Sequence, residues 1–334
     1  MPLRFYTLPP LSVQYPFILV NANHPEEGLR YIRRNRKAIK AVLIDSGIEI
    51  FRDPKVKEYP EGPRGRILKQ VRLYNRVKSL VPGAHILVTI PDYCDDYIPG
   101  NLWISQEFTN IERTFQNVVW ALDEFPEIPW LVPIQGHNKK PRSIAKSIYL
   151  LEEAGILSDR KYYAVANLCV EKSQEIIVET LKIARKALPG KFIHAFGLDM
   201  RAIAKAYHYR LLSSTDTQLF MRQGMKLWKE GMVMRAIKRA GLRGILDSTD
   251  STAWTRPCGY ATKYYLRPQG RPNASRKSER DSVVYFWSWL YTLTHKYKVE
   301  LEGLARKTIE KRFLETLEWA LGKKAELCKH PTLL

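Results

Sequence analysis

The sequence predicts a (β/α)8 barrel, and three observations lead to this prediction. Eight short apolar runs recur along the chain of 334 residues, and such runs are typical of strands buried on both faces of a parallel sheet. Helix-like patterns occupy the segments between many of these runs. The alternative, a doubly wound open sheet, is disfavoured because no G-x-G-x-x-G motif follows the first run.

The predicted elements follow one another in regular alternation. The eight runs cover residues 17–20, 41–44, 86–90, 130–134, 162–166, 192–196, 211–214 and 244–246. The clearest helical patterns cover residues 111–125, 142–154, 173–188, 200–209 and 225–240. An aromatic segment at 284–289 and an amphipathic one at 300–321 are typical of closing helices. We therefore expect a barrel in residues 1–281 and a helical extension packed on it in residues 282–334.

The charge of the chain is strongly unbalanced. Lys and Arg number 54 against 34 Asp and Glu, a formal net charge of +20 at pH 7. A surplus of this size attracts polyanions, whereas a thermophilic composition would enrich both signs. Basic residues cluster at 30–40, 139–142 and 267–280, and the Pro and Gly in the last cluster indicate an exposed loop. This balance predicts contact with nucleic acid.

Several protein classes are disfavoured by what the sequence lacks. No apolar run approaches the ~18–20 residues of a membrane span, and residues 1–5 lack the order of a signal peptide. The four cysteines stand far apart without a C-x-x-C pair, so neither a zinc ribbon nor a disulfide framework is expected. We expect a cytoplasmic protein with no membrane contact, no metal and no cofactor.

Polar residues follow the predicted strands, at the end of the barrel where active sites lie. In chain order they are Asp45, Asp92, Gln135 with Gly136, Asn167, Gly197, Asp216 and Asp250. Carboxylates gathered on one rim repel one another unless a ligand or a reaction uses them. No zinc-ligand spacing, nucleophile elbow or Walker loop accompanies them. Paired carboxylates alone favour chemistry at a glycosidic carbon, where one attacks and another moves protons.

One internal repeat links the last two aspartates. Residues 200–216 and 234–250 both begin M-R-A-I and end S-T-D, at an offset of 34 residues. The repeat is either duplicated packing in adjacent barrel units or a device that brings Asp216 and Asp250 to the same rim.

The strand ends resemble the guanine transglycosylase superfamily, which comprises the queuine and archaeosine tRNA-ribosyltransferases and their DNA-modifying relatives. The resemblance runs from about residue 17 to residue 224. Asp45-Ser46-Gly47 resembles the family's D-S-G-G motif, and Gln135-Gly136 resembles its Q-G motif. The segment 193–197 resembles H-L-x-G, while 163–168 resembles the G-G-L strand end without its two glycines.

This resemblance implies a role for each strand-end residue. It implies that Asp45 is the acid/base group, that Asp92 and Gln135 bind the guanine edge, and that Gly136, Asn167 and Gly197 line the base site. The nucleophile implied is Asp216, which lies 22 residues after His194 and is followed by Arg222 and Gly224 as an R-x-G. Strand counting also places Asp216 on the seventh strand. Asp250 is the alternative, because D-S-T-A-W at 250–254, with Arg256, resembles a motif of the DNA-modifying branch.

The resemblance also implies the partners. The C-x-C-x-x-C…H zinc subdomain of the tRNA enzymes is missing from the sequence, which favours DNA over tRNA and exchange of guanine for a 7-deazaguanine resembling preQ0. Helper proteins or a second copy of the chain are possible partners. Candidate phosphate contacts are Lys139, Lys140, Arg142, Arg222, Arg256, Arg267, Arg271, Arg276 and Lys277. Candidate stacking residues are Tyr93, Tyr97 and Trp254.

Three alternatives remain open at this point. The first is a tRNA transglycosylase that lacks its own zinc module. The second is a subunit that binds nucleic acid without catalysis. The third, a glycoside hydrolase, would use the carboxylates but would explain neither the basic charge nor the Q-G and H-A-F-G patterns.

Overall fold

The computed structural model describes residues 2–53, 55–93, 109–168, 171–211, 243–251 and 279–321. Eight parallel strands form one sheet. They are β1 (Arg4–Tyr6), β2 (Phe17–Asn21), β3 (Ala41–Asp45), β4 (His85–Thr89), β5 (Trp130–Ile134), β6 (Tyr162–Val165), β7 (Phe192–Ala195) and β10 (Ser248–Asp250). Their order in the sheet is β1-β10-β7-β6-β5-β4-β3-β2. Backbone hydrogen bonds at Thr7, to Phe17 O and from Leu19 N, join β1 to β2. The sheet therefore closes into the predicted (β/α)8 barrel.

Helices surround the barrel. They are α1 (Pro25–Asn35), α2 (Gly62–Leu80), α3 (Asn110–Glu124), α4 (Ile144–Glu153), α5 (Ile156–Asp159), α6 (Gln174–Ala187), α7 (Met200–His208), α8 (Glu279–Tyr291) and α9 (Arg306–Leu321). Three of them begin at residues that commonly cap helices: the side chains of Thr109, Ser173 and Asp199 accept backbone N–H groups of α3, α6 and α7. No helix in the described ranges is both long enough and apolar enough to span a bilayer.

The strand prediction was wrong in two places, at the first strand of the barrel and between residues 211 and 250. The first barrel strand is the short β1, which the search for apolar runs missed. The predicted strand 211–214 does not join the barrel at its described residue: β8 (Arg210–Leu211) pairs antiparallel with β9 (Arg243–Gly244) in a separate sheet. Residues 212–214 and the predicted helix 225–240 lie outside the described residues. The strand beside β7 is β10, just after the predicted run 244–246.

The polar composition of β10 explains why it was missed. Its three residues, Ser248, Thr249 and Asp250, include no apolar side chain, although the first two are fully buried. Their hydroxyls have partners on β7, since Thr249 Oγ1 donates to Ala195 O at 2.7 Å and Ser248 Oγ lies 2.9 Å from His194 Nδ1. Hydrogen bonding compensates for the burial of these hydroxyl groups, so a strand without apolar residues is stable here.

The C-terminal helix α8 packs against the first strand of the barrel. Trp289 of α8 stacks on Phe5 of β1 with 4.6 Å between ring centroids, and both belong to the single large hydrophobic core. Beyond α8, Glu302 accepts two hydrogen bonds from the Arg4 guanidinium, at 2.8 and 3.0 Å. Helix α8 and the segment that contains Glu302 therefore cover the first strand of the barrel.

We predict that Trp289→Ala lowers the free energy of unfolding by about 3–5 kcal/mol, because it leaves a cavity over β1. Urea denaturation measures the change. The control is Trp319→Ala, since that side chain is 52% exposed and its removal should change stability by less than about 0.5 kcal/mol. Equal losses in the two variants would contradict the role assigned to α8.

Candidate active site

Asp45 is the centre of a group of acidic side chains at the carboxyl ends of the strands. Its pKa is raised well above the usual range of an aspartate by burial and by the nearby charges of Glu49, Asp250 and Asp92. Three of the aspartates predicted to share the rim, Asp45, Asp92 and Asp250, therefore lie within electrostatic reach of one another. Because the charged form is disfavoured, Asp45 holds a proton more readily than an ordinary aspartate does.

Glu49 is held beside Asp45 by two asparagines. Asn21 Nδ2, at the end of β2, donates to Glu49 Oε1 at 2.8 Å and to Asp45 Oδ2 at 3.4 Å. Asn23 Nδ2 donates to the same Glu49 oxygen at 2.8 Å. Glu49 thus receives the stronger hydrogen bonds, while the contact to Asp45 is long.

The turn after β3 needs a glycine to make this arrangement. Gly47 has a φ of +77°, and a Cβ there would lie 2.5 Å from Asn23 Nδ2. The same asparagine is fixed from the other side by Arg66 of α2, a fully buried residue whose guanidinium donates to Asn23 Oδ1 at 2.7 Å. The D-S-G sequence therefore places a rigid turn under the acidic group.

Asp92 and Gln135 lie together and are both buried. Gln135 Nε2 donates to Asp92 Oδ2 and Ser46 Oγ donates to Asp92 Oδ1, each at 3.2 Å. Gln135 Oε1 accepts the backbone N–H of Gly136 at 3.1 Å. The two residues predicted to bind one edge of a base are thus neighbours, in a position to exchange their mutual hydrogen bond for one with a ligand.

Gly136 and Asn167 pack directly against each other. A Cβ on Gly136 would lie 2.7 Å from Ile144 and 3.0 Å from Asn167 Nδ2, so only glycine fits without movement. Asn167 is 3% exposed, and its Oδ1 has no hydrogen-bond partner within the part of the chain that the structure describes. A buried acceptor of this kind is costly unless a ligand or water satisfies it.

Asp250 ends β10, directly beside β7. Its Oδ1 lies 3.2 Å from His194 Nε2 and accepts the backbone N–H of Gly197 at 3.0 Å. Its side chain is 14% exposed. The structure therefore brings Asp250, and not only Asp45, to the mouth of the barrel.

The remaining predicted residues divide into two groups. Lys139, Lys140 and Arg142 are exposed in the loop after β5, next to Gln135, and Lys139 has a φ of +58°. The others lie outside the described residues: Asp216, Arg222, Arg256, Arg267, Arg271, Arg276, Lys277, Tyr97 and Trp254.

Tyr93 stabilises a loop rather than offering its ring to a ligand. It is 1% exposed and packs in a small cluster with Phe51 and Tyr59. The guanidinium of Arg113 lies 3.5 Å from the centre of its ring.

Sequence reasoning missed Asn21, Glu49 and Ser248. Asn21 directly follows the first predicted run, at an end for which no site residue was predicted. Glu49 lies four residues after Asp45. Ser248 could not be found by an apolar search. Among the described residues, no group of three His, Cys, Asp or Glu side chains has the arrangement of a metal site.

The comparisons with known proteins give no family. No family model matches the sequence, and no curated protein matches it significantly. Carboxyl transferase domains of Rhizobium etli pyruvate carboxylase are similar structures. One has 10% identity and a TM-score of 0.33, covering 96% of this chain and 52% of its own, and another, with pyruvate and biocytin, has 13% identity, a TM-score of 0.32 and coverages of 90% and 42%. This chain thus spans about half the length of these structures or less.

We predict that Asp45→Asn stabilises the fold increasingly as the pH rises. Because the folded-state pKa of Asp45 is raised, the wild-type carboxyl holds its proton in the folded state after the unfolded chain has lost it. The wild-type protein therefore loses up to about 1.4 kcal/mol per pH unit from this group, between its unfolded and folded pKa values. Urea denaturation from about pH 4 to about pH 8 measures the difference between the two proteins.

Asp123→Asn is the matched control, since Asp123 is exposed on α3. A stabilisation by Asp45→Asn that is the same at every pH, or one matched by Asp123→Asn, would contradict the raised pKa.

Proposed function

We propose that this protein exchanges guanine in nucleic acid, with DNA favoured, for a 7-deazaguanine base through a covalent aspartyl intermediate. The observation that carries the proposal is the pairing of a carboxyl suited to hold a proton, Asp45, with a hydrogen-bonded carboxylate, Asp250, at one barrel mouth. Base exchange with retention needs one group of each kind. The resemblance of the strand-end sequences to guanine transglycosylase motifs supports guanine as the base.

Asp250 is the better candidate for the nucleophile. The strand count that favoured Asp216 fails, because the strand β8 is outside the barrel and β10 lies next to β7. Asp250 interacts electrostatically with Asp45, as a nucleophile and its acid partner must. Asp216 lies outside the described residues, so the experiment below includes both.

In the first step, the free oxygen of Asp250 attacks C1′ of the target nucleotide as the bond from C1′ to guanine N9 breaks. The proton on Asp45 passes to the departing guanine, which leaves as a neutral base. The products are an ester between Asp250 and C1′ and a deprotonated Asp45.

In the second step, Asp45 takes the N9 proton of the incoming 7-deazaguanine. The base attacks C1′, and the bond from C1′ to Asp250 breaks to restore the carboxylate. Two inversions give net retention, and the protonation states of both aspartates return to their starting values.

The site also suits a neutral base better than an anion. Asp45, Glu49, Asp92 and Asp250 together disfavour a phosphate in the mouth. Asp92 and Gln135 offer carboxylate acceptors and an amide to a purine edge, and Asn167 Oδ1 offers a further buried acceptor. Because Asp92 and Gln135 are buried, the guanine must flip out of a duplex or belong to a single-stranded region.

The phosphates of the nucleic acid would instead contact the basic exterior. The net charge of +20 supplies the attraction, and Lys139, Lys140 and Arg142 are exposed beside the Q-G strand end.

We predict that Asp250→Asn abolishes a denaturation-resistant adduct with single-stranded DNA containing guanine, because an amide oxygen is a poor nucleophile. Denaturing gel electrophoresis and intact-mass measurement report the adduct. Asp216→Asn should keep it. If Asp250→Asn still forms the adduct and Asp216→Asn does not, Asp216 is the nucleophile and our assignment is wrong.

We also predict that Lys139→Gln with Lys140→Gln weakens DNA binding and flattens its salt dependence. Loss of two phosphate contacts reduces the slope of log K against log salt by up to about 1.8 for duplex DNA. Fluorescence anisotropy at several salt concentrations measures it. The control pair, Lys37→Gln with Lys40→Gln, lies before β3 at the opposite end of the barrel, and an equal change there would contradict a localised contact.

A further inference from the structure

Ser248, His194 and Asp250 form a continuous chain of contacts between two neighbouring strands. Ser248 and His194 are paired in register on β10 and β7, and both are 0% exposed. Ser248 Oγ lies 2.9 Å from His194 Nδ1, and His194 Nε2 lies 3.2 Å from Asp250 Oδ1. The residue types are those of a catalytic triad, but the two ring nitrogens are exchanged, since serine contacts Nδ1 and aspartate contacts Nε2, and the serine is fully buried.

The burial of Ser248 determines which ring nitrogen of His194 carries the proton. His194 Nδ1 is the partner of the Ser248 hydroxyl within the described residues. If Nδ1 carried a hydrogen, the hydroxyl hydrogen would be buried without an acceptor, which is costly. The arrangement in which every group is satisfied has Ser248 donating to Nδ1, and the Nε2–H of a neutral ring donating to Asp250.

The imidazole is also fixed sterically. Tyr6 of β1 lies edge-on to the ring at 6.1 Å and Phe196 does so at 4.7 Å, measured between ring centroids. A fully buried ring between two aromatic neighbours does not rotate freely, so its Nε2 stays directed at Asp250.

Both donors to Asp250 meet the same oxygen. The ring N–H of His194 and the backbone N–H of Gly197 converge on Oδ1, whereas Oδ2 has no hydrogen bond within the described ranges. Two donors on one oxygen fix the carboxylate in one orientation and leave its other oxygen available for attack.

We infer that His194 is a positioning residue, held by Ser248 as its neutral Nε2–H tautomer, which fixes Asp250 so that Oδ2 attacks C1′. The catalytic part of this inference rests on the proposed function. In the ester, Oδ1 becomes the carbonyl oxygen and accepts more weakly from both donors. When the incoming base displaces Asp250, the negative charge returns, and the same donors stabilise the departing carboxylate.

The tautomer is tested without any assumption about activity. The full-length chain, labelled with ¹³C and ¹⁵N in histidine, is observed by long-range ¹H–¹⁵N correlation at neutral pH. The His194 signals are identified by their loss in His194→Gln, and His208→Gln, a change at an exposed histidine, is the control. We expect a neutral ring protonated at Nε2. A ring protonated at Nδ1, or at both nitrogens, would overturn the inference.

A second measurement tests the effect on the reaction. Both the exchange of labelled guanine into single-stranded DNA and the fraction of protein in the denaturation-resistant adduct are determined for His194→Ala and His194→Gln. We expect His194→Ala to slow exchange by at least about tenfold, because a hydrogen bond to a charged group is lost. The adduct fraction at equilibrium should rise, because the lost donor stabilises the free carboxylate more than the ester. His194→Gln retains an N–H donor and should restore both values towards those of the wild-type protein.

An adduct fraction in His194→Ala that is unchanged or lower would overturn the positioning role. Failure of the proposed function has a different signature, because the wild-type protein itself would then give neither exchange nor adduct. In that case the tautomer measurement still decides whether the Ser248–His194–Asp250 chain exists as described.

Discussion

Electrostatic repulsion among Asp45, Glu49, Asp92 and Asp250 is the constraint on which the site depends. Screening by water is weak where carboxylates are buried or nearly so, as Asp92 and Asp250 are, so each negative charge needs a donor or a proton. Three of the carboxylates have at least two donors each among the described residues: Glu49 has Asn21 and Asn23, Asp92 has Ser46 and Gln135, and Asp250 has His194 and Gly197. Asp45 has a 3.4 Å contact with Asn21 and a backbone hydrogen bond from Gly47. It is therefore the carboxyl best placed to keep a proton.

The barrel makes this crowding possible because its parallel strands all end at one mouth. The donors come from different parts of the chain, on β2 and β7 and in the turns that follow β2, β3, β5 and β7. Small residues permit the close approaches, as Gly47 does beneath Asn23 and Gly136 does beside Asn167. A rigid scaffold can hold like charges together at a cost in stability, and such strain is common at functional sites.

The fold and part of the site could be predicted from the sequence. The runs at 17–20, 41–44 and 130–134 are strands because their apolar residues are buried on both faces, and Asp45, Asp92 and Gln135 follow from the rule that strand ends meet. The polar β10 could not be predicted, because its burial depends on hydroxyl partners on β7. That omission misplaced the strand count on which the preference for Asp216 depended. Pairings such as Asn21 with Glu49 are tertiary contacts, which the hydrophobic periodicity of the sequence does not predict.

The proposed function assigns separate roles to two charged regions: a basic exterior would attract phosphates, and an acidic mouth would admit a neutral base. The most direct test incubates the wild-type protein with radiolabelled guanine and either single-stranded DNA or tRNA, then purifies the nucleic acid under denaturing conditions. The account predicts covalently incorporated label in the DNA, which Asp45→Asn greatly reduces. Label in neither nucleic acid, from protein shown to be folded and to bind DNA, would contradict base exchange and leave a basic barrel that binds without catalysis.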